Sequence, residues 1–98
     1  MTNKKIVITQ DNLPIILAFL SKKIKAIPDI EASVRMSKSH RPYIFVKTKT
    51  RKYVVLYYFT YKNYKIYDLQ DNTFCNFKSA KEMYNYFLLD QWFESEGE

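Results

Sequence analysis

Glycine is almost missing from this chain. The single one is Gly97, so no Walker loop, dinucleotide fingerprint or other glycine-rich phosphate cradle can be built. Cys75 and His40 are likewise alone of their kinds, which excludes a disulfide framework and an ordinary zinc site. No metal and no cofactor is therefore expected. The longest apolar run falls far short of the ~18 residues that span a bilayer, and no signal peptide precedes a small-residue cleavage site. The expectation is a cytoplasmic protein with no membrane partner. At 98 residues the chain has room for one domain, and 47% hydrophobic and 17% aromatic content is enough for a core. That domain is expected over 1–93, followed by an acidic disordered tail at 94–98.

Acids are the other scarcity, and their distribution is uneven. The net charge is +6, yet residues 1–65 hold fourteen Lys and Arg against Asp11, Asp29 and Glu31, while the remainder is acidic. No acid lies between Glu31 and Asp68, a stretch with nine cations and seven of the nine tyrosines. Clustered positive charge is the electrostatic footprint of a polyanionic partner. A solvated face that only keeps the protein soluble is the plain alternative.

Hydrophobic periodicity gives the architecture. Lys5–Thr9 is β-branched and alternating, which predicts a short strand. Asp11 or Asn12 can cap a helix with Pro14 in its first turn, ending before Pro28. Leu13, Ile16, Leu17, Leu20, Ile24 and Ile27 form its apolar stripe. Lys22, Lys23 and Lys25 suit the negative end of its dipole. From Ile30 to Phe77 the period becomes two, with strands expected at Ile30–Ser37, Tyr43–Thr48, Tyr53–Phe59, Tyr64–Leu69 and Thr73–Phe77. Asp71–Asn72 can form a two-residue turn because both tolerate the left-handed conformation. Ser79 and Glu82 form an S-x-x-E capping box that opens a second helix, with Met83, Tyr84, Phe87, Leu88 and Trp92 facing inward. The result is an α+β fold: an antiparallel meander of four to five strands with two helices on one face, in the order β-α-β-β-β-β-β-α.

The sheet then has two faces. Ile30, Val34, Met36, Ile44, Val46, Val54, Leu56 and Ile66 are expected beneath the helices. The opposite face would display Arg35, Tyr43, Phe45, Lys47, Tyr53, Tyr57, Lys65 and Tyr67, with Lys38, Arg41, Lys49 and Arg51 in the adjoining turns. Interleaved rings and cations suit single-stranded nucleic acid, because rings stack on bases while cations track phosphates. Tyrosine is also an ordinary strand residue, and an aromatic face can equally be a protein interface.

The segment Phe77-Lys78-Ser79-Ala80-Lys81-Glu82 resembles the amino-terminal arm-binding domain of tyrosine recombinases, where an F-x-[ST]-x-x-E segment starts the packing helix. The resemblance covers Lys52–Leu89 and lacks the family's glycine-containing hairpin. It implies a sheet, three-stranded in that family, that enters a DNA groove.

No catalytic residue is assigned. His40, between Lys38 and Arg41, reads as a turn histidine, Cys75 as a small buried hydrophobe, and Asp68 and Asp71 as turn residues. Small basic ribonuclease toxins are similar in size and charge; in that reading His40, Arg41 and a tyrosine would act. The expected function is a nucleic-acid-binding accessory factor in replication, recombination or regulation, with single strands favoured. The alternative is a protein-interaction module that inhibits or completes a larger replication or recombination enzyme, or pairs with a homodimer mate.

Overall fold

The computed structural model describes residues 7–96, with side chains described through residue 89. Helix α1 spans Leu13–Lys25. Strands β1 (Glu31–Met36), β2 (Pro42–Lys47), β3 (Lys52–Tyr58), β4 (Asn63–Asp68) and β5 (Thr73–Phe77) follow, and helix α2 spans Ala80–Glu96. The strands form one antiparallel sheet in the order β1-β2-β3-β4-β5, an α+β meander. Of the leading strand expected at Lys5–Thr9, Lys5 and Ile6 lie outside the described residues, and Val7–Thr9 form no strand. The Asn12 side chain takes their backbone groups instead. Its Nδ2 donates to the Val7 carbonyl at 2.9 Å, and its Oδ1 accepts from the Thr9 N–H at 2.7 Å. Asn12 therefore makes no side-chain cap of its own helix, whose first turn holds Pro14.

The α1 stripe behaves as its spacing predicts. Leu13, Leu17, Leu20, Ile24 and Ile27 are buried, and Ile16 packs beside them. At α2, Ser79 Oγ accepts the Glu82 N–H at 3.2 Å and its hydroxyl donates to the Glu82 carboxylate. Met83 and Phe87 are fully buried, but Leu88 is exposed, and Tyr86 packs against the core. Trp92 lies outside the described side chains. The helix continues through Glu96, across Glu94–Glu96 of the expected tail, while Gly97 and Glu98 lie outside the described residues.

One core cluster joins α1 and α2 to a single face of the sheet, through Ile44, Val46, Tyr53, Val55, Tyr57, Tyr64 and Ile66. Strand β3 faces the opposite way from the expected arrangement. Val55 pairs with Ile44 and Tyr53 with Val46, so Tyr53 and Tyr57 point inward while Val54 and Leu56 point outward. Tyr53 is 1% exposed and meets Tyr86 and Phe87 edge-on, at centroid distances of 5.9 and 5.3 Å. Both residue sets of β3 are apolar, so alternation alone does not choose between them. The larger rings fill the space under the helices. Val34 and Met36 share the inner side with Ile44 but remain exposed, because β1 is an edge strand. Cys75, also at an edge, is exposed rather than buried. No helix among the described residues is long and apolar enough to cross a membrane.

Candidate nucleic-acid interface

The register writes the outer face as rows. Ser33, Phe45, Val54, Tyr67 and Phe74 are successive cross-strand partners from β1 to β5. At a strand spacing of about 4.8 Å this apolar and aromatic row is roughly 19 Å long. On one side lies the row Glu31, Lys47 and Lys52. On the other side Arg35 pairs with Tyr43, and Leu56, Lys65 and Asn76 are partners across β3, β4 and β5. The stripe thus runs between Lys47 and Lys52 on one side and Arg35 and Lys65 on the other.

Three cations at this face lie on rings. The Arg35 guanidinium stands 4.3 Å from the Phe45 centroid, and that of Arg41 stands 4.4 Å from Tyr58. Lys65 Nζ is 4.8 Å from Tyr58 and 4.4 Å from Phe74, and 5.8 Å from Tyr67. Such contacts contribute about 0.5–1 kcal/mol each at exposed sites and, unlike an ion pair, leave the positive charge uncancelled. Among the described residues, Arg35, Arg41, Lys47, Lys52 and Lys65 have no carboxylate partner. Arg35 also donates to Ser33 Oγ, and Arg41 donates to the Tyr57 carbonyl, which fixes both planes. The Tyr58 and Tyr67 hydroxyls share a 2.8 Å hydrogen bond, which, with burial, raises the Tyr67 pKa.

Several expected contributors stand elsewhere. Tyr53 and Tyr57 belong to the core and offer no ring to a ligand. Arg51 is held by two acids: Nη1 donates to Asp71 Oδ2 at 2.6 Å and to Asp68 Oδ2 at 2.7 Å, which raises its pKa further. Lys49 reaches Asp29 at 3.5 Å. Both are therefore partly neutralised, and Asp68 instead organises its turn by accepting from the Gln70 and Asp71 amides. Lys38 is exposed in the β1–β2 turn, beside His40, whose φ of 62° marks it as that turn's left-handed residue. Arg35, Tyr43, Phe45, Lys47, Lys65 and Tyr67 share the outer face as expected, and Arg41 joins them at its rim. Tyr58, Phe74 and Lys52 complete the face and are absent from the sequence-based set. For Lys52 and Tyr58 the β2–β3 register decides: Lys47 pairs with Lys52 across a four-residue turn, so the two lysines share a face and Tyr53 takes the opposite one.

Among the described residues no group of three or more His, Cys, Asp or Glu could hold a metal. No family model matches the chain, and neither a curated protein nor a solved structure matches it. The segment that resembles the recombinase arm-binding domain does close β5 at Phe77 and cap α2 at Ser79, but in a sheet of five strands rather than three.

Proposed function

We propose that the protein binds single-stranded nucleic acid on the outer face of its sheet, without chemistry of its own. The observation that carries this reading is the stripe of Phe45, Tyr67 and Phe74 flanked by five cations that, among the described residues, no carboxylate neutralises. Bases stack on aromatic rings and on guanidinium planes alike, so the Arg35–Phe45 stack presents a surface of either kind. Phosphates on both sides of the stripe would meet Lys47 and Lys52, or Arg35, Arg41 and Lys65. Charge supplies affinity and the rings supply a sequence-tolerant platform. An accessory role in replication, recombination or regulation, in the cytoplasm, belongs to the same proposal.

Salt dependence of binding to a single-stranded oligonucleotide tests it. Neutralisation of four or five phosphates by these cations should give a slope of log affinity against log salt of about −3. A slope near zero, or no binding at low salt, overturns the reading.

A further inference from the structure

The aromatic row stops at the β1 edge, where Ser33 follows Phe45 and no further ring continues it. A hollow of ≈ 380 Å³ opens at that end, with Phe45, Lys25, Glu31, Arg35, Lys47 and Lys52 in its lining. Among the described residues, four cations and one acid line this open space. Lys47 and Lys52 are direct cross-strand partners, and like charges so placed work against the pairing of their strands. The nearby carboxylates give no relief, because Asp29 is engaged by Lys49 and Asp68 and Asp71 by Arg51. Glu31 stands opposite Lys47 in the register, yet no ion pair joins them.

The charge count distinguishes two kinds of phosphate. A phosphodiester within a strand brings one negative charge per nucleotide. A terminal monoester brings about −1.5 to −2 at pH 7, with three acceptor oxygens. The hollow has the excess charge for the second, and it lies where the stacking row ends. We propose that it is an end-recognition site: it takes the terminal phosphate monoester of a nucleic-acid strand, with the last base on the Arg35–Phe45 stack. This rests on the reading that the outer face binds nucleic acid.

Four forms of one oligonucleotide test the site: 5′-phosphorylated, 3′-phosphorylated, hydroxyl at both ends, and ligated into a circle. One phosphorylated linear form should bind at least about tenfold more tightly than the hydroxyl and circular forms, as charge-assisted hydrogen bonds to a dianion warrant. Which end is preferred gives the polarity of the bound strand. The double variant Lys47→Gln/Lys52→Gln should weaken binding of every form and abolish the preference. The ratio of phosphorylated to hydroxyl affinity within that one variant is the readout, so a partial loss of folded protein does not imitate the result. Equal binding of all four forms by the parent protein overturns the end site and leaves the nucleic-acid reading standing. A preference that survives the double substitution also overturns the site. Binding of no form overturns both.

Discussion

Where the turns of this chain need the left-handed region, residues other than glycine occupy it. Asp29, His40, Lys62 and Asn72 do so here, with φ of 65°, 62°, 51° and 57°. Asp and Asn tolerate this conformation through local hydrogen bonds; a lysine has no such compensation. Replacing Lys62 by glycine should relieve ~1–2 kcal/mol of backbone cost against ~0.5–1 kcal/mol of added chain entropy, a net gain centred on ~0.75 kcal/mol, or roughly 3–6 °C in Tm. Lys62→Ala keeps the Cβ and should give no such gain. A lower Tm for Lys62→Gly would contradict the account. Tyr64 makes a second residue-scale case. Burial, and then the neighbouring Tyr57, push its pKa from 10.0 up to about 12. The folded state favours its neutral hydroxyl, so its contribution is complete below pH 10.0 and is lost as pH rises towards 12. The loss is on the order of 2 kcal/mol. Urea midpoints measured from pH 8 to 11.5 should therefore fall less steeply for Tyr64→Phe than for the parent; parallel curves would remove Tyr64 as the source.

At the scale of elements, the parts with an unambiguous period were legible. The α1 stripe, the Ser79–Glu82 cap and five strand positions follow from apolar spacing and capping chemistry alone. The inner face of β3 was not, because Tyr53-Val54-Val55-Leu56-Tyr57-Tyr58 has apolar residues at both parities and only pairing with β2 orients it. That one-residue slip carries Tyr53 and Tyr57 into the core and brings Tyr58 outward, so it changes the candidate site as much as the fold. The engagement of Arg51 by Asp68 and Asp71 lies seventeen and twenty residues away in sequence, beyond what a local reading reaches. Val7–Thr9 failed as a strand for a different reason: Asn12 competes for their backbone through its side chain.

On the scale of the whole molecule, extents of 41 × 40 × 21 Å describe a slab, one layer of sheet and one of helices. Among the described residues these two layers leave the outer sheet face without a covering element, so its aromatic residues answer to solvent or a ligand while the inner ones answer to the core. This asymmetry predicts opposite outcomes for two aromatic-to-leucine substitutions. Tyr57 is 7% exposed and packs edge-on against Tyr64 and Phe59; Phe74 is 54% exposed and lies under Lys65. Tyr57→Leu should cost roughly 1–3 kcal/mol of folding stability through poorer packing, with little change in the affinity of the protein that remains folded. Phe74→Leu should leave stability within about 0.5 kcal/mol, since the surface change creates no cavity. It should nevertheless lose about 1–3 kcal/mol of single-strand binding, because leucine keeps apolar bulk but offers no face for a base. Denaturant unfolding and oligonucleotide titration on the same two variants check both halves. If Phe74→Leu folds and binds as the parent does, charge attraction suffices and stacking at β5 is wrong. If it folds and binds nucleic acid normally yet no longer retains a protein partner, the outer face is a protein interface.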